Sequence, residues 1–257
     1  MRYLRNFYQY RGLLRELVIR DIKIKYRRSV LGLLWTVLNP LLMMVILSIV
    51  FANIFKQQIP NFPVYLLCGQ LIFNFFSEAT STAMGSVLAN APLIKKVYLP
   101  KYVFPIGKVF SSFINLISSF IALVIVMIVT RAPIYPTSFL FFIPILYVLI
   151  FAIGMGLFLA TIALFFRDVI HLYGVALTAW VYLTPIFYPV DILPPAVRTI
   201  VELNPLTNII MVFRSFMLSG TGAPLLLHVK GLLPGLIMLG FGIYVFFRKQ
   251  DQFILYI

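Results

Sequence analysis

Charged residues divide the chain into long apolar stretches, and the divisions set the elements. Residues 29–55 run for 27 positions without a charge, more than the ~20 that an α-helix needs to cross a hydrocarbon layer, and predict a first span at about 30–54. A second, about 62–88, carries Glu78. A third, about 103–130, is entered past Lys108 and is uncharged from Val109 to Thr130. Residues 132–166 hold no charge either, but Pro133 and Pro136 mark a turn, so the fourth span falls at about 139–166, closed by Arg167 and Asp168. The fifth covers about 169–188 and the sixth about 231–247, terminated by Arg248, Lys249 and Asp251. The pattern predicts six transmembrane helices, each long enough to cross with some tilt.

Three segments are neither span nor plain loop. Over 12–28, Leu14, Val18, Ile22 and Tyr26 recur every four residues, with Arg15, Arg20, Lys23 and Arg27 elsewhere around the helix. This spacing predicts an amphipathic helix at the membrane surface. Glu16 with Arg20 and Asp21 with Lys25 are acid-before-base pairs at i, i+4, which support a helix. Arg20, Lys23, Arg27 and Arg28 stand where the phosphate of an anionic lipid arrives. The connection 90–101 predicts a short helix with Asn90 as N-cap, Pro92 in the first turn and Pro100 as stop; Leu93, Ile94, Val97 and Tyr98 offer an apolar surface between lysines. Ile200–Leu218 is too apolar for a solvated loop and is broken at Asn204-Pro205, so two short re-entrant helices are expected within about 192–219, with Arg198, Glu202 and Arg214 near the outer interface.

Composition agrees with a lipid-embedded chain: 62% of the residues are hydrophobic and only 11% charged, against about 45–50% apolar in soluble domains. Lys and Arg number 21 against seven acids, a net charge of +14. Position accounts for the surplus. Fifteen of the 21 fall on one side of the six spans, nine of them within residues 1–29, five fall on the other, and Lys108 lies inside a span; the positive-inside rule then puts both termini in the cytoplasm. The basic charge is therefore topological and lipid-directed, and nucleic acid is not an expected partner. The first apolar run starts too late and is too long for a cleavable signal peptide.

The chemistry is sparse. A single cysteine, Cys68, excludes an intramolecular disulfide, and two separated histidines, His171 and His228, make no metal site with it. Gly107-Lys108 is followed by Val109 and lacks the upstream glycine of a P-loop, so no nucleotide site is expected in this chain. Glu78 is the one acid well inside a span, with Lys108 or a neighbouring polar group as its expected partner. Ala152, Gly156 and Ala160, and Gly231 with Gly235, permit close helix contact. Aromatics make up 16% of the chain; most suit membrane boundaries or packing, and some suit a conduit over which sugar faces slide.

In order along the chain, Arg15 to Trp35 followed by Asn39-Pro40, Asn90 to Pro105 with Leu93-Ile94-Lys95-Lys96 and Leu99-Pro100-Lys101, Phe166-Arg167-Asp168-Val169, Thr184-Pro185-Ile186-Phe187-Tyr188-Pro189 and Asn204-Pro205-Leu206 resemble the permease subunit of bacterial ABC exporters of lipid-linked polysaccharides, the O-antigen, capsule and teichoic acid type. The resemblance implies an all-α, multi-pass protein of the bacterial inner membrane, acting as a homodimer with two copies of a separate ATP-binding subunit. ATP and Mg would sit on that partner, with no cofactor or catalytic residue in this chain. By the same resemblance, 90–101 is the coupling helix, with Asn90, Leu93, Ile94, Lys95, Lys96 and Tyr98 meeting the ATPase. Arg20, Lys23, Arg27 and Arg28 would attract the lipid diphosphate, and Trp35, Tyr65, Phe76, Trp180 and Tyr188 would line the glycan conduit. The alternatives are a small-molecule or drug exporter of the same superfamily, an ion-coupled secondary transporter, and, disfavoured by the shortage of acids, a membrane-embedded glycosyl- or phosphotransferase.

Overall fold

The computed structural model describes residues 10–27, 29–55, 59–97 and 99–256, which are helical nearly throughout and hold no strand among the described residues. In chain order the helices are α1 (Arg11–Tyr26), α2 (Leu34–Phe55), α3 (Phe62–Met84), α4 (Ser86–Ala89), α5 (Ala91–Lys96), α6 (Val103–Val129), α7 (Phe142–Phe165), α8 (Val169–Tyr182), α9 (Pro195–Leu203), α10 (Pro205–Arg214) and α11 (Leu225–Lys249). A 3-10 turn, Pro136–Phe141, leads into α7, a π-helical turn, Ser215–Ser219, extends α10, and a 3-10 segment, Gln250–Leu255, follows α11.

Among the described residues four segments are long and apolar enough to cross a membrane, namely Leu34–Phe51, Val103–Val129, Pro136–Phe165 and Leu225–Leu255; the 87° pair Pro195–Leu203 and Pro205–Ser219 makes a fifth if taken as one span. The second and fifth expected spans differ in kind from these. α3, at 23 residues, is about 34 Å long, but it carries Gln70, Asn74, Ser77, Glu78, Thr80 and Thr82. It can hold them because it lies at the centre, against α2, α6, α7, α8 and α10, where polar groups find partners: Thr80 Oγ1 and the Tyr173 hydroxyl are 2.7 Å apart. α8 has only 14 residues, about 21 Å, and ends at Tyr182 instead of reaching 188, since the residue before Pro185 is pushed out of helical geometry.

α7 and α11 pack most extensively. Their backbones touch at Gly154 and Gly242, where a Cβ on Gly242 would collide with the Gly154 carbonyl oxygen. The small residues singled out in the sequence also serve contacts within this chain: a Cβ on Gly156 would meet Ala83 at 3.0 Å, one on Gly231 Ile209 at 3.4 Å, and one on Gly235 Phe151 at 3.5 Å. α1 lies along the beginning of α6, with Leu17 and Val18 buried and Ile24 exposed.

Candidate functional site

Polar side chains gather at the two ends of the bundle. At the end bearing α1, α5 and the close of α11, α1 is tied to the body by a charged network. Lys25 Nζ lies 2.7 Å from Glu78 Oε1, which also accepts from Asn115 Nδ2 at 2.9 Å. Tyr26 donates its hydroxyl to Asn115 Oδ1 at 3.3 Å; burial raises its phenol above the usual value, so it stays protonated and able to donate. Lys108 pairs with Asp21 at 2.9 Å, and Arg20 reaches both Asp21 and Asn90 Oδ1 at 3.3 Å. All of these groups except Tyr26 line an open cleft of about 430 Å³ between α1, α3 and α6.

Of the two partners expected for Glu78, the neighbouring polar group is present as Asn115, beside Lys25, while Lys108 pairs with Asp21 instead, so the i, i+4 pair of Asp21 with Lys25 is exchanged for contacts between helices. Of the four cations assigned to a lipid diphosphate, Arg20 faces the cleft and is engaged, Lys23 and Arg27 are exposed on α1, and Arg28 lies outside the described residues. Lys25, Lys108, Asp21 and Asn115 were not singled out as site residues. Spacing cannot reveal a pair 53 residues apart such as Lys25 and Glu78.

The expected helix over 90–101 is shorter than its sequence suggested. α5 stops at Lys96, with Val97 already extended. Asn90 does not cap it through its side chain; instead its amide donates to Ser86 O at 2.8 Å and its carbonyl oxygen accepts from Arg20. Ile94, 7% exposed, belongs to an apolar cluster with Leu17, Phe104, Phe246 and Phe253, and Leu93 packs on its edge. Lys95 and Lys96 are exposed, as are Pro92 and Val97, so of the expected apolar surface Ile94 is turned inward while Val97, 49% exposed, stays outside; Tyr98 lies outside the described residues. Lys101 Nζ donates to the Gln250 carbonyl and sits over the Phe253 ring at 5.7 Å, fastening the 3-10 segment beside this connection.

At the other end the non-helical stretch after α8 is held by two side chains. Arg214, 7% exposed, donates to the carbonyls of Pro185 at 2.7 Å, Ile186 at 3.1 Å and Tyr65 at 3.1 Å, and lies 3.4 Å over the Tyr65 ring. It is thus an interior clamp, not an interfacial charge. Asn204 caps α10 by accepting from Leu206 N at 3.0 Å; its Oδ1 also takes Trp180 Nε1 at 3.0 Å, and its amide donates to Thr184 Oγ1 at 2.9 Å. Thr184-Pro185 and Asn204-Pro205-Leu206 are therefore two halves of one joint, in which side chains of the protein satisfy backbone that no helix does.

The five residues assigned to the conduit do not form one surface in the protomer. Phe76 is fully buried, its ring 4.8 Å from Phe151 and 5.3 Å from Trp180. Trp180 is bonded to Asn204, Tyr65 donates to Tyr188 O at 2.8 Å, and Tyr188 donates to Tyr182 O at 2.6 Å. Trp35 is 45% exposed near the start of α2. Tyr65 also borders a second cleft of about 450 Å³, with Tyr135, Asn61, Pro189 and Arg214.

Helices long and apolar enough to cross a membrane and a pair bent by 87° suit a membrane-spanning protein, and no group of His, Cys, Asp or Glu among the described residues could hold a metal. The chain belongs to the ABC-2 type transporter family, whose pattern matches residues 12–218. It is 34% identical over 218 residues to the O-antigen export system permease protein RfbA of Myxococcus xanthus, covering 84% of each chain. It is 31% identical over 204 residues to the RfbA of Klebsiella pneumoniae, covering 79% of this chain and 78% of that one. The polysialic acid transport protein KpsM of Escherichia coli is 26% identical over 211 residues, 79% of this chain and 80% of its own.

Proposed function

We propose that this chain is the transmembrane subunit of an ATP-driven exporter that moves a lipid-linked polysaccharide, of the O-antigen, capsule or teichoic acid type, across the bacterial inner membrane. It works as a homodimer with two copies of a separate ATP-binding subunit, which carries ATP and Mg. α2, α3, α6, α7, α8 with its non-helical continuation, and α11 make six crossings, with both termini in the cytoplasm, where the basic residues collect. α1 lies at the inner surface as an amphipathic element, the exposed lysines of α5 face the ATPase, and α9 and α10 dip from the outer side. The glycan passes between protomers.

The observation that carries this reading is the likeness to O-antigen export permeases along 84% of the chain, together with a family match over residues 12–218 that takes in nearly all of α1, α5, α9 and α10. The test is reconstitution with the partner ATPase in vesicles. A lipid-linked glycan should raise ATP hydrolysis and appear on the far side, whereas small drugs should do neither. Stimulation by drugs alone, or movement of substrate by the purified chain down an ion gradient without ATPase, would overturn it.

A further inference from the structure

Around the cleft between α1, α3 and α6, every cation is already held by an oxygen of the chain itself. Lys25 meets Glu78 at 2.7 Å, Lys108 meets Asp21 at 2.9 Å, and Arg20 meets Asp21 and Asn90 at 3.3 Å. The first two distances are those at which a lysine binds a phosphoryl oxygen. Three cations against two carboxylates leave the cleft positive, and Lys23 and Arg27 are exposed on the same helix. Glu78 and Lys108 belong to helices of the membrane-embedded bundle, where an ionisable residue is costly unless it is paired or functional. Asn115 and the hydroxyls of Ser111 and Ser112 also line the cleft. Its volume of about 430 Å³ lies within the range of small-molecule sites.

We infer that this cleft is a phosphoryl-binding site in which Asp21 and Glu78 compete with the ligand for its cations. An entering phosphate or diphosphate takes Lys25, Lys108 and Arg20, and the displaced carboxylates turn to water, with Glu78 keeping Asn115. The exchange replaces two single charges by a group carrying about two, so no cation is left bare at any stage, which is what makes the swap cheap. Lys25–Glu78 and Lys108–Asp21 are also the ion pairs that join α1 to α3 and α6, so the ligand that takes their cations releases α1 from Glu78 of α3 and itself becomes the bridge between α1 and Lys108 of α6. The inference rests on the reading that the substrate arrives carried by a lipid phosphate.

The two acids give the test its sign. With the full chain in phosphatidylcholine nanodiscs, binding of farnesyl diphosphate, inorganic diphosphate and farnesol is measured by calorimetry, and a thermal transition is recorded for each variant. Glu78→Gln and Asp21→Asn should each bind farnesyl diphosphate more tightly, on the order of tenfold, because a competing charge is gone. Lys108→Met and Lys25→Met should bind it more weakly by a similar factor. Glu16→Gln, an exposed acid of α1 outside the cleft lining, should leave binding unchanged, and farnesol should not bind the cleft. Competition by inorganic diphosphate would assign the site to free as well as lipid-borne phosphate; its failure to compete would assign it to the lipid-borne form. Acid variants that fold yet bind no tighter, or a Glu16→Gln variant that tightens equally, would overturn the site. If the wild-type complex still exports glycan, the transport reading survives that failure. A wild-type complex that no lipid-linked glycan stimulates would overturn the transport reading whatever the variants do.

Discussion

Arg214 gives its guanidinium to carbonyls that no helix can satisfy. Pro185 and Ile186 follow the end of α8, Tyr65 belongs to the first turn of α3, and the planar fork reaches all three. A lysine has one nitrogen and cannot span them. Arg214→Met should therefore destabilise the protein by about 3 kcal/mol or more, the cost of leaving buried carbonyls without donors, and Arg214→Lys by a smaller amount; thermal unfolding in detergent orders the two. Gly69 belongs to the same clamp, since a Cβ there would lie 2.9 Å from the Arg214 Nη2. Gly69→Ala should thus lower the transition temperature although it adds only a methyl group. The residue-level surprise is Glu78. Its place within an apolar run is plain from the sequence, but its side chain is 36% exposed, and helix spacing pairs its partner Lys25 with Asp21; only the approach of α1 to α3 rearranges the pairs.

Elements were legible where hydropathy alone decides them and less so where one side chain from afar completes a backbone. The apolar runs placed α2, α6, α7 and α11 within a few residues, although α11 begins at Leu225, six residues before the expected start, and takes in His228 and Lys230. The end of α8 was overrun because hydropathy continues to 188. Pro185 was the available signal, but the donors that make an early stop tolerable come from Arg214 and Asn204, on later helices. α5 was overestimated for the opposite reason: Pro100 permits a longer helix, but six residues are all that form. The pairing of α7 with α11 gives an element-scale prediction. Gly242→Ala should push the helices apart and cost about 1–3 kcal/mol through overpacking, whereas Gly240→Ala, with nothing within 4 Å of the added atom, should not; folded yield and transition temperature of the two alanine variants check this directly.

At the scale of the whole molecule, folding and docking can be separated on α5. Lys95 and Lys96 point outward, while Ile94 is buried with Leu17 and Phe253. Reversing both lysines to glutamate should leave the chain inserted and monodisperse but reduce co-purification of the ATPase severalfold; Ile94→Asp should instead abolish the folded protein, because it buries an unpaired charge. Equal complex yield from the lysine variant would remove α5 from the docking surface. The fastening of Gln250–Leu255 also bears on how the protein is handled. Phe253 is fully enclosed and Lys101 holds the carbonyl of Gln250, so a tag fused after Ile257 starts two residues beyond a segment fastened at Lys101, in the connection that follows α5. An affinity tag placed there would crowd the very ground on which the motor subunit is expected to land. Such a fusion could mimic a broken transporter while leaving the membrane part intact.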